Sequence, residues 1–318
     1  MPNPSSTNIS PNESIYIGRF APSPTGLLHF GSLVSALASY LDARHHRGRW
    51  LVRMEDIDPP REQAGAAAAI LRSLEDHGLH WDGAVTYQSQ RLDIYASYLT
   101  QLQAHEVIYP CNCTRQDLTA MEGIYNGRCR ARSVDINRAH ALRLKLYDLP
   151  THITSLANIT SLVGDELLTF TDLVQGIQQQ NLRLEAGDQI VKRKDGLFAY
   201  QLAVVVDDIA QHITHIIRGS DLLDVTARQI FLHRLLHASV PQFGHVTLAT
   251  HNNGQKLSKQ NLAPPLQSAD AGTNLWQALE FLGQNPPQVL YGATPNELLE
   301  WGKQHWQLTK IKGLSASI

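Results

Sequence analysis

The hydrophobic pattern of the first sixty residues changes its period twice. Residues 14–22 and 49–56 are runs of apolar, β-branched and aromatic side chains, which predict two buried strands. Between them, apolar residues in the stretch 30–48 recur three and four positions apart, and Gly48 is predicted to end the resulting helix. A strand, a helix and a second strand in this order predict a βαβ unit and therefore a parallel sheet.

The same patterns continue along the chain, with one interruption. Residues 111–187 are polar, rich in turn-forming residues and weakly periodic. We predict an α/β fold with a disordered lead (1–14), a Rossmann-type parallel-sheet catalytic domain in two halves (15–110 and 188–260), an inserted module (111–187) and a short helical C-terminal region (261–318). The elements predicted after residue 60 are helices at 65–78, 89–105, 224–239 (amphipathic), 274–286 and 294–306, and strands at 106–111 and 245–250.

Composition adds three limits to this outline. Of the 318 residues, 43% are hydrophobic, which is enough for a sizeable core, and no apolar run approaches the roughly 18 residues of a membrane span. The polar lead lacks the features of a signal peptide, so we expect a cytoplasmic protein. We also expect a monomer. A net charge of −2 gives no general attraction to nucleic acids, so RNA contacts depend on local basic segments at 127–133 and 191–196.

The turn APSPTGLLHFGS, which joins the first strand to the first helix, is the first candidate site. Parallel sheets bind ligands beyond the carboxyl ends of their strands, and a helix N-terminus offers unpaired amides to a phosphate. His29 and Ser32 lie three residues apart and can face one ligand, while Gly31 lets the backbone approach it closely. A tight structural turn with a surface histidine is the alternative interpretation.

A second polar turn, GQKLSKQ, follows the strand predicted at 245–250 and contains Lys256 and Lys259. Two ammonium groups can neutralise a triphosphate while charge builds on its α-phosphate. A solvated charged loop explains the lysines alone, but their combination with the histidine turn in one parallel α/β domain favours an ATP site. The predicted ATP-binding residues are His29, Gly31, Ser32, Lys256 and Lys259.

The three cysteines of the chain, Cys111, Cys113 and Cys129, all lie in the polar insertion. Clustered thiolates suit a structural Zn²⁺ site, which needs four tetrahedral ligands, and an odd number of cysteines argues against a disulfide framework. The spacing leaves the fourth ligand open, with His105 and His140 as candidates by chemistry alone. Three buried free thiols are the alternative.

The two turns together resemble the signatures of class I aminoacyl-tRNA synthetases, with HFGS in the place of His-Ile-Gly-His and KLSKQ in the place of Lys-Met-Ser-Lys-Ser. Ser32 and Gln260 depart from those signatures, as the glutamyl branch of the family also does. RFAPSPTGLLHFG, RMEDIDPPRE, LAVVVDD and IIRGSD are similar to that branch, and EDIDPPRE, GIYNGRCR and KLSKQN resemble its short paralogues of glutamyl-tRNA synthetase. The resemblance extends from about Ile15 to the C-terminus.

The resemblance implies an enzyme that activates L-glutamate with ATP and Mg²⁺ as glutamyl-adenylate. We expect this step to need no tRNA, because all its groups fall in one predicted crevice. His29 and Lys259 are the expected catalytic residues, which stabilise the transition state, and Tyr125 is implied as the fourth zinc ligand. The expected glutamate-binding residues are Arg19, Phe20, Ala21, Pro22, Ser23, Glu55, Tyr200 and Arg218, with the arginines on a carboxylate and Glu55 on the ammonium.

The expected acceptor follows from the short stretch beyond the lysine turn. Only 59 residues follow Lys259, too few for the large anticodon-binding region of full glutamyl-tRNA synthetases. The resemblance implies that glutamate is joined instead to queuosine, at the first anticodon position of tRNA(Asp), so the anticodon stem-loop is the expected partner. The alternatives are a truncated glutamyl-tRNA synthetase that charges the 3′ end of tRNA(Glu), a nucleotidyltransferase of the same superfamily, and a non-catalytic RNA-binding paralogue.

Overall fold

The structure, a computed structural model, describes residues 15–150, 153, 167–250, 264–311 and 315–317. The turn with Lys256 and Lys259 and the lead of residues 1–14 lie outside the described residues. The strands are β1 (Ile17–Phe20), β2 (Arg49–Met54), β3 (Thr86–Tyr87), β4 (Ile108–Cys111), β5 (Ala141–Leu144), β6 (Leu168–Asp172), β7 (Gly176–Gln180), β8 (Gln189–Lys192), β9 (His215–Gly219), β10 (Gln242–Val246), β11 (Leu248–Thr250) and β12 (Ser315–Ser317). The helices are α1 (Phe30–His45), α2 (Ala66–Asp76), α3 (Leu92–Ala104), α4 (Arg115–Thr119), α5 (Tyr200–Ala210), α6 (Leu223–Leu235), α7 (Ala271–Phe281) and α8 (Pro295–His305).

A parallel sheet forms the centre of the fold, as predicted. β1 pairs with β2, β2 with β3, and β9 with β10, all in parallel. The amide of Thr214 donates a hydrogen bond of 2.9 Å to the carbonyl of Ile17, which places β9 on the other side of β1. The strand order is therefore β3-β2-β1-β9-β10, and the first and second halves of the chain meet at β1 and β9.

The predicted βαβ unit is present, but Gly48 has a different role from the one expected. The turn after α1 is made by Arg47, which adopts the left-handed conformation (φ 54°). Gly48 is required by a close approach instead, because a Cβ atom there would lie 2.4 Å from the carbonyl oxygen of Tyr16. The amide of Arg49 then donates to that carbonyl at 2.9 Å and starts the pairing of β2 with β1.

The middle of the chain contains two antiparallel sheets. The strand predicted at 106–111 is β4, but it pairs with β5 and not with the parallel sheet, and β5 pairs in turn with β8. This three-stranded sheet takes strands from both sides of the boundaries predicted at 110/111 and 187/188. β6 and β7 form the second antiparallel pair. The division into domains stays a prediction.

Two further expectations were wrong in detail. The stretch 224–239 was expected to be an amphipathic helix, but α6 has buried residues on most of its faces because it packs against both α5 and the β6–β7 pair. The strand predicted at 245–250 is divided at Thr247 into the end of β10 and the whole of β11. β11 leaves the main sheet and pairs with β12.

The C-terminal helices pack directly on the back of α1. Leu275, Leu279 and Leu298 are fully buried in the same core as Leu37 and Leu41 of α1. The indole nitrogen of Trp306 also donates to the buried Asp42 at 2.8 Å. This packing supports α1 from behind while its N-terminus points toward the carboxyl ends of the strands.

In the part of the chain that the structure describes, none of the helices has both the length and the apolar character needed to cross a membrane.

Candidate active site

A cavity of about 660 Å³ opens at the carboxyl ends of β1, β2 and β9, against the N-terminus of α1. This is the end of a parallel sheet where ligands bind. The structure brings together there every predicted substrate-binding and ATP-binding residue that it describes. These lining residues are Arg19, Phe20, Ala21, Pro22, Ser23, His29, Gly31, Ser32, Glu55, Tyr200 and Arg218.

His29 begins α1 and lies at the cavity wall. Its backbone is extended (φ −125°), and its ring nitrogen Nδ1 accepts a hydrogen bond from the amide of Ser32 at 3.4 Å. The side chain is 92% buried and has little freedom to move. The histidine is therefore a helix cap as well as a cavity residue. It fits both interpretations of the turn, the structural one and the one as a ligand site.

Described residues on both sides of the segment 251–263 lie at the cavity. Leu248 and Ala249, before that segment, line it. After the segment, Pro265 pairs with the cavity residue His29, and the amide of Leu266 donates to the carbonyl of Leu28 at 2.9 Å. Lys256 and Lys259 belong to the segment that these residues flank in the sequence.

Arg19 of the cavity belongs to a group of buried ion pairs, whose acidic member Asp208 is not among the residues predicted from the sequence. Arg19 donates from Nε and Nη2 to the carboxylate of Asp208, at 3.2 and 3.3 Å, and Arg53 donates to it from Nη1 at 2.9 Å. All three side chains are at least 96% buried. The edge of Arg19 expected to grip a substrate carboxylate with two hydrogen bonds is occupied by Asp208 in this conformation.

Glu55 is an acidic residue that lines the cavity, together with Asp221. Its Oε1 is buried without a hydrogen bond, and the nearest cation, Nη2 of Arg53, is 3.7 Å away. Burial raises the pKa of Glu55 to about 7, although Arg53 and Arg19 lower it in part. A carboxylate with a buried oxygen and a raised pKa is suited to a cationic ligand group, as predicted for an ammonium.

Arg218, at the end of β9, is the cationic counterpart of Glu55 in the cavity. Its nitrogen Nη1 is buried and makes no hydrogen bond. Burial lowers its pKa to about 10, so the guanidinium still carries its charge near neutral pH. Tyr200 lines the same cavity, and burial followed by the charge of Glu55 raises its pKa to about 12, which keeps the hydroxyl protonated.

The three cysteines gather in a separate cluster. Their sulfur atoms all lie within 4.8 Å of one another, and the described residues place no histidine or acid in that group. The predicted candidates His105 and His140 are thus not part of it. The hydroxyl of Tyr125 lies 3.6 Å from Sγ of Cys111.

Comparison with known proteins decides the family. The family described as "tRNA synthetases class I (E and Q), catalytic domain" matches residues 17–271. The chain belongs to the class I tRNA synthetases of this E and Q group. As a member of this class I group it is a ligase-type enzyme, and the resemblance found in the two turns is confirmed.

Relatives and solved structures agree with the class I assignment. Proteins named Glutamyl-Q tRNA(Asp) synthetase are 48% identical, from Ectopseudomonas mendocina over 93% of this chain and 95% of theirs, and from Pseudomonas aeruginosa strain PAO1 over 94% and 96%. This is the short paralogue that EDIDPPRE and GIYNGRCR resemble. A glutamate-tRNA synthetase structure from Elizabethkingia anophelis has a TM-score of 0.77 at 23% identity, covering 96% of this chain and 68% of that one, which confirms the fold.

Proposed function

We propose that this synthetase activates L-glutamate with ATP, without tRNA, and transfers the glutamyl group to queuosine at the first anticodon position of tRNA(Asp). The observation that carries the proposal is that Arg218 and Glu55 both line one cavity. A buried cation and a buried acid match the carboxylate and the ammonium of an acidic amino acid. The names of the relatives supply the acceptor.

Activation needs no covalent intermediate on the protein. One oxygen of the α-carboxylate of glutamate attacks the α-phosphorus of ATP, the bond to the β-phosphate oxygen breaks, and pyrophosphate leaves with its Mg²⁺. The residues of the cavity hold the two reactants in line and exclude water. An acceptor hydroxyl then attacks the carbonyl carbon of the adenylate, loses its proton and releases AMP.

The phosphates are assigned to the N-terminus of α1 and to the lysine turn. Gly31 and Ser32, in the first turn of α1, line the cavity at the positive end of the helix dipole, where a phosphate is stabilised. His29 is held beside them by its bond to Ser32. Lys259, with Lys256 in support, is proposed to neutralise the charge that develops on the α-phosphate.

In the predicted basic segment 127–133, two of the three arginines are already engaged in ion pairs with aspartates. Arg130 is bound to Asp188 at 2.6 Å through two nitrogens, and Arg128 is bound to Asp117 at 3.0 Å. These two arginines therefore hold the inserted region together. Of the three arginines in the segment 127–133, only Arg132 is exposed. Contacts with the anticodon stem-loop are thus not assigned to this segment as a whole.

The first test measures ATP–pyrophosphate exchange with L-glutamate and no tRNA. We expect exchange with glutamate and none above background with aspartate or glutamine. Since the cavity holds all the proposed groups for activation, added tRNA should not be required. A strict requirement for tRNA contradicts the first half of the proposal.

The second test locates the glutamate on the RNA. Radiolabelled glutamate is offered with tRNA(Asp) containing queuosine, tRNA(Asp) lacking it, and tRNA(Glu). We expect label on the first alone, retained after the 3′ nucleotide is removed. Label at the 3′ end of tRNA(Glu) favours a truncated glutamyl-tRNA synthetase, and exchange with no transfer to any tRNA favours a nucleotidyltransferase.

The pH profile tests the role of Glu55. Because its pKa is about 7, the group is neutral below that pH and pairs with the substrate ammonium only above it. We expect kcat/KM for glutamate in the exchange reaction to fall about tenfold per pH unit below the pKa and to level off above it. The residual activity of Glu55→Gln should lose this inflection, and an unchanged inflection in that variant assigns it to another group.

We further propose that the cysteine cluster binds one structural Zn²⁺ through Cys111, Cys113, Cys129 and Tyr125. The three sulfurs are close enough to share one ion, and the hydroxyl oxygen of Tyr125 stands beside them. Burial, followed by the neighbouring thiols, raises the pKa of Cys113 to about 12, and a divalent cation stabilises the thiolate form. The ion would crosslink β4 to the segment around Cys129 and takes no part in the reaction.

Metal analysis tests the zinc proposal directly. Protein purified without chelators should contain close to one zinc per chain. Cys111→Ser should lower that content and the midpoint of thermal unfolding, since a structural ion contributes folding free energy. His140→Ala is the control and should keep the zinc, and wild-type protein that is metal-free yet fully stable contradicts the proposal.

A further inference from the structure

Arg218 differs from the buried arginines Arg19 and Arg53 in the partners that hold it. Arg19 and Arg53 are paired with a carboxylate, whereas Arg218 has no salt bridge within the described residues. Its Nε donates to Nε2 of His245 at 3.0 Å, and its Nη2 donates to the hydroxyl of Thr226 at 2.8 Å. These hydrogen-bond partners are neutral, so Arg218 is oriented without a carboxylate bonded to its guanidinium.

The hydrogen bond from Arg218 to His245 requires one tautomer of the histidine. Nε2 accepts a hydrogen bond from Arg218 and therefore carries no proton, so the ring proton must be on Nδ1. Nδ1 lies 2.6 Å from Oδ2 of Asp172, which can only accept. The other oxygen of Asp172 accepts three backbone amides, those of His245, Val174 and Gln175, at 2.8–3.0 Å. Asp172 is therefore ionised, and both of its oxygens accept hydrogen bonds. It selects the tautomer of His245 that carries the proton on Nδ1.

The strands make the arrangement rigid. His245 of β10 is the register partner of Arg218 on β9, so the two side chains leave the sheet side by side. His245 is fully buried, and Asp172 at the end of β6 is 98% buried. Burial and then the nearby Arg218 act against protonation of the ring, and its pKa lies below the usual value for histidine despite Asp172.

We propose that Asp172 and His245 are positioning residues for Arg218: they present a neutral acceptor to the guanidinium, so that Nη1 and the full charge remain available to the side-chain carboxylate of the substrate. This inference rests on the proposed activation of glutamate. A carboxylate in place of His245 would also orient Arg218, but it would neutralise the charge, as Asp208 does for Arg19. Neither Asp172 nor His245 lines the cavity, so both act through Arg218.

Asp172→Asn is the decisive variant because it changes the tautomer with almost no change of shape. The amide oxygen can still accept the three backbone amides, while the amide nitrogen now donates to Nδ1. The ring proton then moves to Nε2, which lies 3.0 Å from both Nε of Arg218 and Oγ1 of Thr226, and Arg218 loses its acceptor. We expect KM for glutamate to rise about 10–100-fold, with kcat and KM for ATP changed by less than about threefold. Asp224→Asn, at an exposed position on α6, is the matched control.

Substitutions of His245 separate positioning from simple packing. His245→Gln keeps an oxygen that can accept from Arg218, so its KM for glutamate should rise much less than that of His245→Phe. In the Asp172→Asn background, His245→Gln should restore part of the affinity, because an amide has no tautomer to be reversed. An unchanged KM for glutamate in Asp172→Asn, or an equal loss of all parameters and of thermal stability in every variant, overturns the proposal.

NMR provides a readout that does not depend on activity. The ring ¹⁵N spectrum of the wild-type protein, with His245 assigned by the His245→Gln variant, should show a neutral ring protonated on Nδ1. In Asp172→Asn the proton should be on Nε2. A wild-type ring protonated on Nε2 or on both nitrogens overturns the positioning role, whereas wild-type protein with the expected tautomer but no glutamate-dependent exchange overturns only the proposed function.

Discussion

Replacing Asp208 by alanine should lower the free energy of unfolding by about 3–5 kcal/mol. Asp208 accepts hydrogen bonds from Arg19 and Arg53 in a site without water access, and its removal leaves two buried guanidinium groups without that carboxylate. This is a large part of the about 5–15 kcal/mol that stabilises a typical domain. Urea unfolding monitored by circular dichroism measures the change.

A matched substitution at the surface provides the control. Asp135 pairs with Arg138 at 3.4 Å, but both side chains are more than half exposed, so Asp135→Ala should cost about 0.5 kcal/mol or less. A similar loss in the two variants contradicts the role given to Asp208. Acid unfolding gives a second check: burial raises the pKa of Asp208, but Arg19 and Arg53 outweigh burial and hold it at about 2. Its contribution, complete above the ordinary aspartate pKa, should be lost as the pH falls toward 2.

Replacing Lys259 by alanine should slow ATP–pyrophosphate exchange by about 10²-fold or more. The proposed role of the ammonium is to stabilise charge that appears on the α-phosphate in the transition state, and loss of one such group typically has this effect. Because the interaction strengthens during the reaction, kcat should fall more than KM for ATP rises. The exchange assay with saturating glutamate separates the two parameters.

Lys303→Ala is the control for Lys259, since Lys303 lies on α8, pairs with Glu300 and does not line the cavity. It should exchange at the wild-type rate. Lys256→Ala should be slower than this control but faster than Lys259→Ala, in keeping with a supporting role. If Lys259→Ala retains more than about a fifth of the wild-type rate, the charge is stabilised chiefly by another group, such as the N-terminus of α1.

The parallel sheet was predictable from local patterns, whereas the antiparallel sheets were not. β1, α1 and β2 are consecutive, and their periods alone indicate a βαβ unit. β4 has the same apolar character as a strand of the parallel sheet, and its pairing with β5, some thirty residues away, depends on contacts that no short window contains. For the same reason the sequence predicts an amphipathic helix for α6, whereas the β6–β7 pair and α5 bury residues on most of its faces.

The residues that line the cavity were easier to predict than the buried residues that hold this lining in place. His29, Glu55 and Arg218 lie directly at strand ends or at a helix start, where ligands are expected. Asp208 and His245 lie within apolar segments and gain their roles from partners far along the chain. The available signal was the pair of acids at the end of LAVVVDD, because a charge inside a buried helix needs a partner.

The packing of α7 and α8 on α1 means that the region matched by the catalytic-domain family is shorter than the folding unit. The matched region stops at residue 271, the first residue of α7. A fragment that ends there would lack the apolar residues of α7 and α8 that cover Leu37 and Leu41. It would expose the apolar face of α1, the helix whose N-terminus is proposed to bind ATP. Heating should therefore unfold α7, α8 and the proposed ATP site in one cooperative transition. A minimal catalytic fragment must extend through Trp306.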